Sequence, residues 1–127
     1  MRILIVDDSK TVATVIDTML KEEQYTCVWV GDGQEAIDLL RTDKHFDLIL
    51  LDWTMPIIDG PTFLKQVKSE KITTAPIVML TAENKMQKIV SILEQGICEY
   101  ITKPFTKDIL LSKINLALRF NQMNQRK

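Results

Sequence analysis

A chain of 127 residues with 46% hydrophobic and 26% charged side chains has the size and composition of one globular domain with an adequate core. Its formal net charge of −1 gives no general basic field and so no reason to expect nucleic acid as the main partner. The apolar run at the N-terminus, Ile3 to Val6, stops at two acids and is too short for a signal peptide or a membrane span. A cytoplasmic protein with no membrane insertion is therefore expected.

Arg2 to Val6 (RILIV) is a short β-branched run of the kind that forms a fully buried strand. Val12, Val15, Ile16, Met19 and Leu20 follow at helical spacing and predict one apolar helix face. Tyr25 to Val30 reads as a second strand, and the GDG turn after it leads into a helix carrying Ala36, Ile37 and Leu40. Phe46 to Leu51 is the third and most apolar strand. Pro61 suits the first position of the next helix, which carries Phe63, Leu64 and Val67. Pro76 to Leu80 is the fourth strand. Met86, Ile89, Val90 and Leu93 mark a helix that stops at Gly96. Cys98 to Thr102 is the fifth strand, and Ile109 to Phe120 a last helix with Leu110, Ile114 and Leu118 as its seam. Cys27 and Cys98 lie in apolar strand-like runs without CxxC spacing, which predicts buried unpaired thiols.

Strands alternating with helices predict an α/β fold: a doubly wound, five-stranded parallel sheet with five helices covering both faces. Right-handed crossovers place every strand's carboxyl end on one edge, where ligand chemistry gathers in such folds. The residues that follow the strands are then informative. Asp7 and Asp8 follow the first, Asp52 the third, Thr81 the fourth, and Thr102, Lys103 and Pro104 close the fifth. Two like charges about 4 Å apart repel by roughly 4 kcal/mol at an effective dielectric near 20, so three clustered carboxylates call for a cation. Mg²⁺ is the natural one, since it takes one or two carboxylates and leaves positions for phosphate oxygens. Asp52 could then act both as a ligand and as a nucleophile toward phosphorus, with Lys103 and Thr81 meeting the phosphoryl oxygens. Taken singly, the same residues have plainer uses: Asp7 and Asp8 could cap the first helix, and Thr81 the fourth.

The segments ILIVDDS, LLDWTMPIIDG, PIVMLTA and YITKPF, in that order and spacing, resemble the receiver domains of bacterial two-component response regulators. The resemblance runs along essentially the whole chain, and it is greatest to the stand-alone, CheY-like kind. It implies a flavodoxin/CheY-like sheet of order 2-1-3-4-5 and a single receiver domain over residues 1–127 with no output domain. It implies Asp52 as the phospho-acceptor, giving 4-aspartylphosphate, and Asp7, Asp8, Asp52 and the main-chain carbonyl of Thr54 as Mg²⁺ ligands. Thr81 and Lys103 would contact the phosphoryl group, and Thr81 and Tyr100 would form the switch. Thr54 and Glu83 stand where relatives tune phosphate lifetime, and the Lys103–Pro104 peptide is expected to be cis. Trp53 should lie near the acidic site and report Mg²⁺ by fluorescence. Trp29 is expected to pack in the core or on the surface. Ile97 replaces the usual small residue after the glycine.

On that resemblance the chain is a signalling module and not an enzyme, catalysing only its own Mg²⁺-dependent phosphorylation and dephosphorylation. The phosphoryl donor would be a sensor histidine kinase, because His45 is a loop residue before the third strand, far from the acidic edge. Output would run through the fourth helix, fifth strand and fifth helix to a downstream target, in chemotaxis or a related pathway. Relay to a histidine phosphotransfer protein is the other role it implies. A monomer or a weak phosphorylation-dependent dimer is expected. Ile89 and Lys113 match the motor-binding face of chemotaxis regulators, whereas Met86 departs from the usual lysine. A phosphatase of the haloacid dehalogenase kind would need a second aspartate where Thr54 stands, and room for a substrate cap. A nucleotide or flavin site would need a glycine-rich cradle where DDSKT stands.

Overall fold

The computed structural model describes residues 1–125. The elements alternate as β1 (Arg2–Val6), α1 (Lys10–Lys21), β2 (Thr26–Val30), α2 (Gly33–Thr42), β3 (Leu48–Asp52), α3 (Gly60–Ser69), β4 (Ile77–Thr81), α4 (Met86–Leu93), β5 (Glu99–Thr102) and α5 (Lys107–Gln125). The five strands are all parallel and lie in the order β2-β1-β3-β4-β5. This is the doubly wound architecture that the alternation predicts, with the strand order of the CheY-like flavodoxin fold.

Each central strand is buried on both faces, and its alternate residues serve different cores. Leu4, Val6, Ile49, Leu51, Ile77 and Met79 meet α2 and α3, with the apolar side of α4 beside them. Ile3, Ile5, Leu48, Leu50, Val78 and Leu80 meet α1 and α5. The absence of polar alternation in these strands is thus a direct consequence of helices on both sides.

Four helix starts are set by side chains that satisfy otherwise orphaned backbone donors, Thr106 before α5 accepting the Ile109 amide at 3.2 Å. Ser9 accepts from the Val12 amide at 3.2 Å, Asp32 from Glu35 at 2.8 Å and Asp59 from Thr62 at 2.9 Å. Pro61 lies in the first turn of α3, one position after the helix begins. β1 keeps the bounds expected of it, while those of the other four strands shift by one or two residues. Phe46 and Asp47 precede β3: the Asp47 amide donates to the Arg2 carbonyl, and the Arg2 guanidinium lies 4.2 Å over the Phe46 ring. Pro76 has no N–H for the ladder, so β4 begins at Ile77 and gains Thr81 at its end. β2 begins at Thr26 and β5 at Glu99, while α5 starts earlier and ends later than Ile109–Phe120.

Some residues expected on core faces are exposed. α1 buries Ala13, Ile16 and Leu20, and Val15, turned about 100° from Ile16, is 42% exposed. On α4 only Ile89 is buried, while Met86 and Val90 face water. The α5 seam runs through Leu110, Ile114 and Ala117, with Leu118 only partly covered. Cys27 and Cys98 are free but half-buried, not fully buried as expected. Burial pushes the Cys27 thiol up to about 11 and raises Cys98 as well, so both stay protonated near neutral pH.

Candidate functional site

The carboxyl edge of the sheet gathers Asp7, Asp8 and Asp52. Each offers a carboxylate oxygen, and those oxygens all lie within 4.8 Å of one another. Among the described residues this is the one such cluster of three metal-capable side chains. Asp7 is wholly buried and Asp52 is nearly so, whereas Asp8 faces solvent.

Strand parity explains who meets whom. Asp7 continues the side of β1 used by Ile3 and Ile5, and Asp52 the side of β3 used by Leu48 and Leu50. Lys103 continues the side of β5 used by Ile101, and its own amide still donates to the Thr81 carbonyl at 2.7 Å, as a strand residue would. All three therefore emerge on the α1/α5 side of the edge. The Lys103 ammonium lies 3.2 Å from the Asp7 carboxylate and 3.5 Å from that of Asp52. Thr81 has the opposite parity, that of Ile77 and Met79. It borders a pocket of about 500 Å³ shared with Trp53, Thr54, Ala82, Glu83, Lys88 and Ile92.

The backbone holds these groups closely. The Asp7 carboxylate accepts the Ser9 amide at 2.8 Å, and Asp52 accepts the Thr54 amide at 3.2 Å. Ser9, not Asp7 or Asp8, caps α1, which leaves both acids free of that plainer use. Thr81 does not cap α4 either; its hydroxyl accepts the Glu83 amide at 2.9 Å and keeps its own proton to donate. The Trp53 amide donates to Leu80, and Trp53 accepts from Gly60 at 3.1 Å, which fixes the loop after Asp52. A Cβ on Gly60 would sit 2.9 Å from the Trp53 Cα and closer still to its indole, so only glycine fits. The Lys103–Pro104 peptide bond is cis.

Burial raises the Asp52 carboxyl to about 6, and the neighbouring Asp7 and Asp8 charges add to the rise against the pull of Lys103 and the Thr54 amide. Three carboxylates facing one ammonium leave negative charge unmatched, and the donors are hard oxygens. That set fits a small divalent cation such as Mg²⁺.

The remaining expected residues lie around this edge or away from it. Tyr100 is half-buried against the α2/α3 core, with the Lys113 ammonium 4.4 Å from its ring centroid and 3.0 Å from Glu99. Glu83 accepts the Lys85 amide at 2.9 Å and lies 3.7 Å from Lys88. Ile97 is 5% exposed and belongs to the core. His45 is exposed on the loop entering β3, at the opposite edge of the sheet, 3.6 Å from Asp43. Trp29 is not core packing: its residue is 43% exposed, and its indole N–H donates to the Asp7 carbonyl at 2.7 Å. No spacing rule in the sequence points to that bond, because it depends on where β2 ends.

The family model described as "Response regulator receiver domain" matches residues 3–115. The chain is 35% identical to the chemotaxis protein CheY of Pseudomonas aeruginosa over 116 residues, 90% of this chain and 93% of that protein. It is 37% identical over 119 residues to the transcriptional regulatory protein DltR of Streptococcus agalactiae, covering 94% of this chain but only 52% of DltR. The chain thus spans about half the length of that regulator. Among solved structures, chemotaxis protein CheY4 of Vibrio cholerae superposes with a TM-score of 0.83 at 30% identity, covering 92% of this chain and 98% of that one.

Proposed function

The chain belongs to the family of response regulator receiver domains, and we propose that it takes a phosphoryl group onto Asp52 and signals by docking on a partner protein. The observation that carries this reading is the meeting of Asp7, Asp8, Asp52 and Lys103 at one edge of the sheet.

Receiver domains generally bind Mg²⁺ through an acidic cluster, and here Asp7, Asp8, Asp52 and the Thr54 main-chain carbonyl would hold it. When bound, the ion supplies positive charge to an incoming phosphoryl group. The chain's own residues do the rest. A carboxylate oxygen of Asp52 forms the bond to phosphorus as the bond from phosphorus to a donor nitrogen breaks. That donor is a phosphohistidine on a sensor kinase, since His45 lies at the opposite edge of the sheet. Lys103, already within reach of both Asp7 and Asp52, balances charge on the phosphoryl oxygens. The Thr81 hydroxyl donates its free proton to one of them.

Phosphorylation adds charge and three acceptors at Asp52, and so favours whichever conformation brings donors nearer. Thr81 moving toward the phosphoryl group frees space on the α4 side, into which Tyr100 turns. The output face is α4, β5 and α5, where Met86, Val90, Ile109 and Leu116 stand exposed. The partner is a downstream protein target or a phosphotransfer protein, and the lifetime of the phosphoryl group is set by Thr54 and Glu83.

The test is incubation with acetyl phosphate, with and without Mg²⁺, followed by intact mass. The expected result is a metal-dependent gain of one phosphoryl group that is lost in Asp52→Asn. Labelling of that variant at the wild-type level would move the acceptor elsewhere.

A further inference from the structure

We propose that Trp29 is a positioning residue of the acidic site, holding the Asp7–Asp8 turn through its indole N–H. The inference rests on the reading of this edge as a cation and phosphoryl site.

The Asp7 carbonyl has no strand partner. β1 and β2 pair in parallel from Arg2↔Thr26 to Val6↔Val30, and the Asp7 amide extends the ladder by donating to the Val30 carbonyl at 3.2 Å. A continued parallel ladder would give the Asp7 carbonyl the amide of residue 32. That amide is not delivered, because β2 ends at Val30 and Asp32 has become the cap of α2. The Gly31 amide is also taken, by the Glu35 carboxylate at 2.9 Å. Asp7 is wholly buried, so water is a poor substitute, and an unpaired buried carbonyl is costly.

Trp29 resolves this. It stands opposite Ile5 in register, and so its side chain emerges on the side of the sheet that Asp7 uses two residues later. The indole nitrogen is a donor only, and it reaches the Asp7 carbonyl at 2.7 Å. That carbonyl lies in the same rigid peptide plane as the Asp8 nitrogen and Cα. Pinning it stops that plane from turning and fixes the direction in which Asp8 leaves the backbone. Together with Ser9, which donates to the Asp7 carboxylate, the bond fixes the presentation of both acids. Burial alone gives an incomplete account of a tryptophan here, since the residue is 43% exposed along a groove lined by Ala13, Thr14, Asp17 and Cys27.

The experiment uses the full chain labelled with ¹⁵N, whose two tryptophans give two indole resonances. They are assigned with Trp29→Phe and Trp53→Phe. The Trp29 indole proton should exchange with D₂O at least about tenfold more slowly than free indole and should shift as MgCl₂ is added. Trp29→Phe keeps an aromatic ring but loses the donor. Its Mg²⁺ Kd, followed by Trp53 fluorescence, should rise about five- to tenfold, the effect of one lost hydrogen bond. Labelling by acetyl phosphate should slow at low Mg²⁺ and return to the wild-type rate at saturating Mg²⁺. A purely structural Trp29 would instead lower the unfolding midpoint and leave the Mg²⁺ Kd unchanged, which overturns the proposal. Should the variant fail to fold, a fast-exchanging Trp29 indole that MgCl₂ does not move in the wild type overturns it equally. Wild-type protein that neither binds Mg²⁺ nor takes phosphorus would sink the reading of the edge itself, and this inference with it.

Discussion

Lys103 stands 96 residues after Asp7 in the chain, yet its ammonium lies 3.2 Å from the Asp7 carboxylate. Asp7 has no exposure to water, so Lys103 and the Ser9 amide are what offset its charge. Replacing Lys103 by Met should destabilise the metal-free protein by roughly 3 kcal/mol, because a buried charge loses its partner. Urea denaturation measures this, and added Mg²⁺ should recover part of the loss. An unchanged midpoint would mean that Asp7 is balanced by something other than Lys103.

Asp52 yields a pH dependence with a definite sign. Its carboxyl titrates near 6 in the folded chain, against an ordinary aspartate value of 3.8 once unfolded. The folded state therefore holds the proton more tightly, and stability falls as pH rises from about 4 through 6. Asp52→Asn removes this penalty. Without Mg²⁺ at pH 7.5 the variant should be more stable by on the order of 2–3 kcal/mol, and the advantage should shrink toward pH 4.5. Thermal melts across that range check it. Wild-type Mg²⁺ affinity should also weaken below pH 6, since the ion competes with the proton.

Gly60 packs with no room for a Cβ against Trp53. Gly60→Ala should cost about 1–3 kcal/mol by overpacking. It should also lower Mg²⁺ affinity, because Trp53 and Thr54 follow Asp52 directly and share the displaced loop. Calorimetric Mg²⁺ titration beside a denaturation curve separates the two effects.

Ile57 adopts φ of +69° and is 79% exposed, with Ile58 donating back to Pro56 at 2.8 Å in a tight turn around it. A β-branched residue is strained in that region. Ile57→Gly should stabilise the chain by about 1 kcal/mol and leave Mg²⁺ binding unchanged. A loss of stability on denaturation would show that the loop relieves the strain in another way.

The acids at the strand ends were legible in the sequence because a parallel sheet sends every strand's exit to one edge. The element order and the burial of the central strands on both faces followed from the same periodicities. What was not legible depends on where elements stop. Ser9 rather than the acids caps α1, and the Asp7 carbonyl lacks a ladder partner only because β2 peels away at Val30. Val15 and Val90 looked like core residues because hydrophobicity records composition and not the rotation of a helix against its sheet. The strain at Ile57 leaves no trace in residue type, since isoleucine gives no sign of a left-handed backbone.

Lys103 and Asp52 leave the sheet on the side of α1 and α5, and Thr81 leaves it on the side of α4. A single tetrahedral anion gripped by all three would act as a rivet through both layers of the sandwich. Load placed on that rivet would reach the two hydrophobic interiors together, so neither helical layer would respond alone.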